Sequence, residues 1–362
     1  MVDTIRLRVN ISKAELKSDK WKTEVDENTG EFYYYEFIKS IRLAFYPDTK
    51  NLTITGRYIS TYTNNKFKNF DDIFSTRNEI LEFFFNLESY INSYFITPVV
   101  NILTDKVTRL DYCMNVETEY VKEYIEIFNR YYKTKPKKLK AYINHTIEQN
   151  LPIDSSFYLK TEKQYKEKKN QNFTLNIYSK EDELTSKRER QIIKYGNSSI
   201  TDKDILEAKN ILRIEAQLHY SKLKTTCEKF SINPKKCCLY DLFDIEIARY
   251  VLKNELRRFF TEADFYSYEK AKEEIQLKIK NHKSKKAALE YIEAVAKNNK
   301  VNSTTIPKNL IAIGIFPHYF IPRDWDIHIL KNPIKLIDEK IHVNQLQWLS
   351  LKKGGNTHDK KT

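Results

Sequence analysis

The chain has 362 residues, 41% of them hydrophobic and 13% aromatic, enough to bury a sizeable core in two domains or one large domain with an appendage. No apolar run is long enough to cross a bilayer and no signal peptide opens the sequence, so a soluble, cytoplasmic protein without a membrane partner is expected. Lys and Arg number 62 against 49 Asp and Glu, and the resulting charge of +13 favours a polyanionic partner, nucleic acid first.

Residues 2–9 alternate and read as a strand. Residues 40–59 read as a β-hairpin, with apolar, β-branched runs on either side of Pro47-Asp48 and Asn51. Over 77–95, Ile80, Leu81, Phe84, Leu87, Ile91 and Tyr94 recur at helical spacing. A strand over 107–116 and a helix over 119–132 follow. A basic stretch, 133–140, leads into strand-like runs at 139–146 and 155–162, then a charged loop at 163–170. Residues 172–180 form a strand, 181–195 a helix and 211–220 the last clear strand. Everything beyond reads as helix: 221–230, 240–260, 267–280 and 285–298. The expected class is α+β, with an antiparallel-sheet domain over 1–232, an all-α region over 233–351 and a disordered tail over 352–362. Asn233-Pro234 marks the break.

Side chains alternate across a strand. One face of the 107–116 strand therefore carries Arg109, Asp111, Cys113 and Asn115. One face of 211–220 carries Arg213, Glu215, Gln217 and His219, and one face of 172–180 carries Thr174, Asn176, Tyr178 and Lys180. Three amphipathic strands with a wet face would look the same. Yet Arg-x-Asp and Arg-x-Glu each set a carboxylate in mid-strand, where Asp in particular is disfavoured. If the strands are neighbours, two carboxylates, a tyrosine hydroxyl and basic groups converge. Phosphodiester transesterification fits such a set. Asp111 and Glu215 would hold Mg²⁺ or Mn²⁺ through oxygen, and Tyr178 would be the nucleophile. Lys180 or a nearby Arg would offset phosphate charge and lower the tyrosine pKa. Cys113, Cys227, Cys237 and Cys238 have no C-x-x-C spacing, and no two of the seven histidines sit at ligand spacing, so zinc is not expected. Glu183 reads as a favourable charge at a helix start in preference to a third acid of the site, and Asn115 as a residue able to orient a metal-bound water.

The segments VDTIRLRV, LTITGR, TRLD, TLNIYSKEDEL and ILRIEAQLHYSKLK occur in this order, carrying Arg-x-Asp, Tyr-x-Lys and Arg-x-Glu in turn. In this the chain resembles the gene II/X replication proteins of filamentous phages and related plasmid initiators. NLIAIGIFPHYFIP (309–322) is similar to a further segment of that family. The likeness covers most of the chain. It implies a rolling-circle DNA replication initiator, a metal-dependent tyrosine endonuclease and strand transferase. Such an enzyme nicks one strand at an origin, leaves a 3′-OH for a polymerase and keeps the 5′ end on Tyr178. The implied fold is related to that of the His-hydrophobe-His endonucleases. This sequence lacks their histidine pair, so the metal passes to Asp111 and Glu215. The implied partners are duplex and single-stranded origin DNA, with a host helicase and polymerase. Arg109 and Arg213 would contact DNA at the site, and Lys137, Lys138, Lys285 and Lys286 would do so from two basic runs. A tyrosine transposase or conjugative relaxase shares this chemistry, and a non-catalytic DNA-binding protein with structural carboxylates is the remaining alternative.

Overall fold

Alternation at period two builds the molecule's main sheet. The structure is a computed structural model that describes residues 2–26, 30–134, 139–142, 156–161, 173–258, 260–297 and 305–344. Its strands are β1 (Val2–Asn10), β2 (Lys22–Val25), β3 (Phe32–Ile38), β4 (Ile41–Tyr46), β5 (Asn51–Gly56), β6 (Lys106–Glu117), β7 (Leu139–Tyr142), β8 (Ser156–Thr161), β9 (Phe173–Ser179) and β10 (Ile211–His219). They pair in the order β2-β3-β4-β5-β1-β6-β10-β9-β8-β7. Every neighbouring pair is antiparallel. The hairpin expected over 40–59 is β4–β5. The three strands singled out for their polar faces lie together as β6-β10-β9.

One face of this sheet is apolar. Ile5, Leu7, Leu110, Tyr112, Leu175, Ile177, Leu212, Ile214 and Leu218 are buried on it. Helices cover it with stripes of their own. In α1 (Arg77–Asn92), Ile80, Phe83, Phe84, Leu87 and Ile91 are buried, and a Thr76–Glu79 capping box starts the helix. α2 (Val121–Thr134) packs against β8 and β9. The other face is polar. One end of it lies beneath α3 (Lys180–Tyr195), α4 (Asp202–Glu207) and the 63–72 loop, which share a small core of Phe67, Leu184, Ile200 and Ala208.

The C-terminal region is helical: α5 (Tyr220–Lys229), α6 (Leu239–Leu242), α7 (Ile245–Leu256), α8 (Tyr268–Lys278), α9 (His282–Ala296), α10 (Thr305–Ala312) and α11 (Pro333–Asn344). It is not all-α, however. β11 (Asp264–Ser267), β12 (Ile315–Ile321) and β13 (Ile329–Leu330) form a second sheet in the order β12-β11-β13, with β12 parallel to β11. Two of these strands are too short for a period to register. The third, IFPHYFI, is an apolar run without alternation. The single helix expected over 240–260 is broken at Asp244, whose carboxylate caps α7 by accepting from the backbone N–H of Glu246 and Ile247.

The break expected at 232 does not separate two cores. Phe243, Ile247, Val251, Leu252, Ile334, Ile337 and Ile341 belong to the same core as Leu110, Tyr112, Ile214 and Leu218. The Tyr112 hydroxyl reaches across to donate to the Leu242 carbonyl at 2.6 Å. A separate core forms further on, from Tyr266, Ala271, Ile275, Ala288, Tyr291, Ile292, Leu310 and Ile315. No helix among the described residues is long and apolar enough to cross a membrane. The 163–170 loop, Lys137, Lys138 and the 352–362 tail lie outside the described residues.

Candidate active site

β10 lies between β6 and β9, and the register sets its polar residues in rows. Arg213 stands between Asn115 and Tyr178, Glu215 between Cys113 and Asn176, and Gln217 between Asp111 and Thr174. The residues singled out on these strands thus share one face. Asp111 and Glu215 are diagonal neighbours, one step apart rather than directly opposite; residues in that relation are about 7–8 Å apart, and their Cβ atoms somewhat less. A bulge in β1 brings in a further acid. Val2 faces Tyr112 while Ile5 faces Leu110, so Asp3 and Thr4 share the place opposite Asp111.

The Tyr178 hydroxyl donates to Glu215 Oε2 at 3.1 Å. The other carboxylate oxygen, Oε1, accepts from Gln217 Nε2 at 2.8 Å and Asn176 Nδ2 at 3.2 Å. Tyr178 is only 8% exposed. Burial, and then the Glu215 charge, push its hydroxyl well above the usual tyrosine pKa, with Arg213 opposing in part. The expectation that a nearby cation lowers this pKa is therefore corrected: exclusion of water and an adjacent carboxylate outweigh it. A phenol held protonated needs a base within reach to become a nucleophile, and Glu215 has that position, oriented by two amides.

Lys180 is the first residue of α3, directly after the N-cap Ser179. It is buried, its Nζ donates to Glu183 Oε2 at 2.8 Å, and it stands 5.6 Å from the centre of the Tyr178 ring. Burial and the Arg213 charge hold its pKa below the usual lysine value, against the pull of Glu183 and Asp3. Glu183, expected only as a helix-start charge, is also the ion-pair partner of this lysine.

Arg213 is 1% exposed. Its Nε donates to Asn115 Oδ1 at 3.0 Å and its Nη1 to Asp3 Oδ1 at 3.0 Å. Its Nη2 donates to the Phe67 carbonyl at 2.9 Å and Asn69 Oδ1 at 2.5 Å. The direct DNA contact expected of Arg213 is corrected on this geometry, because its guanidinium faces protein acceptors and ties the 63–72 loop to the sheet. Asn115 serves the same tie. Its amide donates to the Phe67 carbonyl and to Asp72, so its expected role beside a metal-bound water is also replaced. Asp3 receives Arg57 as well, at 3.1 Å. Against burial that would raise it, Arg213, Arg57 and Lys180 hold the Asp3 carboxyl far below the usual range.

Arg109 binds Asp111 through two parallel bonds, Nε to Oδ1 at 2.9 Å and Nη2 to Oδ2 at 2.5 Å. Even so, the Asp111 pKa is raised to about 7, by burial first, with Glu215 and Asp3 adding to it. On β9, two strands from Asp111, the buried Asn176 Oδ1 and Thr174 Oγ1 have no hydrogen-bond partner. Unpartnered hard oxygens of this kind suit a divalent cation such as Mg²⁺ or Mn²⁺. Among the described residues no group of three or more His, Cys, Asp and Glu converges as a metal centre. The protein would thus offer Asp111 and Glu215 and leave the remaining positions to water and phosphate oxygens, the usual manner of Mg²⁺ binding.

Lys285 and Lys286 lie elsewhere, on α9, which packs on α8, α10 and β12. Lys285 donates to the Gln276 carbonyl, and Lys286 is exposed. Three site residues had no role assigned from sequence. Asn176 and Gln217 were visible on the faces of Tyr178 and Glu215. Asp3 was not, because the bulge breaks the alternation that would have placed it. No family model matches the chain, and no curated protein matches it.

Proposed function

We propose that this chain is a strand-nicking and strand-transferring enzyme of rolling-circle DNA replication, with Tyr178 as its nucleophile. The observation that carries the reading is the hydrogen bond from the Tyr178 hydroxyl to a Glu215 carboxylate fixed by Asn176 and Gln217. A nucleophile bonded to an oriented base is the arrangement covalent catalysis needs. In the proposed step the Tyr178 oxygen attacks the scissile phosphorus and the bond from phosphorus to the 3′ oxygen breaks. The 5′ phosphate stays on the protein as a tyrosine ester. The phenolic proton passes to Glu215, and the departing 3′ oxygen takes up a proton from solvent. Lys180 offsets phosphate charge beside the tyrosine. When held on Asp111 and Glu215, a divalent cation supplies Lewis-acid polarisation of the phosphate. The motif resemblance adds the origin and the replication cycle to this chemistry. Because the tyrosine is buried, α3 and the 63–72 loop must shift for a strand to reach it.

That burial is also what favours a second reading, a DNA-binding protein in which Tyr178–Glu215 is a structural bond. One experiment separates the two. The chain is incubated with supercoiled DNA carrying its own replicon's origin and Mg²⁺ or Mn²⁺. Open circles with protein attached at the 5′ end support the enzyme, and bound but intact supercoils support the structural reading.

A further inference from the structure

We propose that the open polar face of β1, β3, β4, β5 and the near end of β6 binds single-stranded DNA, as a surface beside the Tyr178 site and distinct from it. The inference rests on the nicking reading only for the choice of DNA as the polymer.

A straight row crosses this face. His219 is opposite Arg109, Arg109 opposite Arg6, Arg6 opposite Thr55, Thr55 opposite Arg42 and Arg42 opposite Phe37. It spans six strands, or about 24 Å at the usual strand spacing. Next to it Arg8 is opposite Lys106. Arg6, Arg42 and Lys106 are half-buried, and Arg8 is exposed. Directly opposed like charges destabilise a sheet, yet Arg6–Arg109 and Arg8–Lys106 are such pairs. Arg6 meets a neutral partner, Thr55 Oγ1 at 3.0 Å, and Arg8 meets Asn51 Oδ1 at 2.8 Å. Among the described residues no carboxylate forms an ion pair with Arg6, Arg8, Arg42 or Lys106. Arg57 and Arg213, one site away, are both paired with Asp3. Burial first, then the charge of Arg109, push the Arg6 pKa below its usual value, against the pull of Asp111. With only Arg109 paired to a carboxylate among the described residues, such a row of cations fits a polyanionic strand.

Aromatic side chains share the face. Phe37 is 52% exposed and forms an edge-on pair with Tyr35, with ring centres 6.0 Å apart. Arg42 lies over Tyr33, which stacks on Tyr46. At the other end Lys106 lies 4.6 Å from the centre of the exposed Tyr220 ring. Exposed rings beside cations, here Phe37 and Tyr220 but not the buried Tyr33, stack unpaired bases, whereas a duplex hides its base faces. Arg109, next to the His219 end of the row, holds Asp111, so a strand lying on the row runs into the candidate site.

The test uses the full chain and fluorescence anisotropy with labelled oligothymidylate, oligouridylate and a duplex, at several salt concentrations. The triple variant Arg6→Gln, Arg8→Gln, Arg42→Gln should bind oligothymidylate at least tenfold more weakly. Its salt slope should fall by about 2, at roughly 0.7 per lost single-strand contact. The matching lysine triple keeps the charge and should keep the slope, which guards against a folding defect in the glutamine variant. Phe37→Ala should weaken binding roughly fivefold or more through lost stacking, with the slope unchanged. Unaltered affinity in the glutamine triple, or no oligothymidylate binding by the wild type, overturns the proposal. So does preference for duplex or for oligouridylate. Nicking is scored separately: a chain that cuts nothing but shows these binding losses removes the enzyme reading and keeps the surface.

Discussion

The Tyr178 hydroxyl and the Glu215 carboxylate are joined at 3.1 Å across the seam between β9 and β10. Tyr178→Phe deletes the proposed nucleophile, while Asn176 and Gln217 still hold Glu215. The variant should form no covalent adduct with DNA yet bind it nearly as the wild type does, because binding rests on many phosphate contacts. Glu215→Gln should slow nicking by about 10²–10⁴-fold, the usual contribution of a general base. Gel-shift and denaturing-gel assays on the same DNA measure both. An adduct surviving in Tyr178→Phe would remove the tyrosine from the mechanism.

Asp111 and Glu215 should be required together for the response to metal. The wild-type chain is expected to melt at higher temperature with Mn²⁺, since a ligand that binds only the folded state stabilises it. Asp111→Ala and Glu215→Ala should each lose that increment and lose Mg²⁺-supported cleavage. Thermal shift and Mn²⁺ calorimetry check this without relying on activity. Full metal affinity in both variants would move the ion elsewhere.

Arg213 bridges β6, the bulge of β1 and the 63–72 loop, and no shorter side chain can reach all of these acceptors. Arg213→Ala leaves Asp3 with Arg57 as its remaining ion-pair partner and takes a donor from Asn115, Asn69 and the Phe67 carbonyl. Removing one member of a buried ion pair typically costs about 3–5 kcal/mol. Denaturant unfolding should show a loss of that order for Arg213→Ala. Arg109→Ala should cost less, because Arg109 is nearer solvent than Arg213. Equal losses would count against this view of the site.

The three site strands were legible because each keeps one continuous apolar face, so alternation alone separates Tyr178, Asp111 and Glu215 from the core residues between them. β3 was not, since FYYYEFI carries aromatics on both faces and shows no clean period. Nor were the short strands of the second sheet. Alternation also says which face a residue occupies but not what covers that face. Alternation therefore sets the tyrosine on the polar face, while the sign of its pKa shift, set by burial and then the Glu215 charge, runs opposite to the expectation. Asp3 was hidden for a related reason: a bulge moves it onto the polar face, and nothing in VDTIRLRV announces a bulge.

His219 gives a pH signature. Burial first, then Arg109 and Arg6, lower its pKa to about 4, and its Nε2 is buried without a partner. An unfolded histidine takes up its proton near pH 6.5. Between about pH 6.5 and 4 the unfolded chain thus binds the extra proton and the folded chain does not, so this residue makes stability fall as the pH drops through that window. Below about 4 both states are protonated and the penalty stops growing. His219→Gln should flatten the melting temperature against pH between these limits. A curve parallel to that of the wild type would show that the imidazole titrates normally.

The last prediction concerns the chain cut after Asn233. All the site residues precede the cut, and on sequence alone such a chain should hold a working sheet. The core argues otherwise. The cut removes Leu242, Phe243, Ile247, Val251, Leu252, Ile334, Ile337 and Ile341, all buried in the same cluster as the apolar faces of β6 and β10. It also takes away the acceptor of the Tyr112 hydroxyl. Losing one large core side chain costs about 2–5 kcal/mol, and a whole domain is stable by only about 5–15 kcal/mol. Removing eight such residues, about 16–40 kcal/mol on that scale, exceeds the margin. The shortened chain should show no cooperative melt by circular dichroism, should bind a hydrophobic dye and should cleave no oligonucleotide. A cooperative melt together with tyrosine-dependent cleavage would show that the sheet and its N-terminal helices fold alone, and that the helices after 233 merely cover a finished domain.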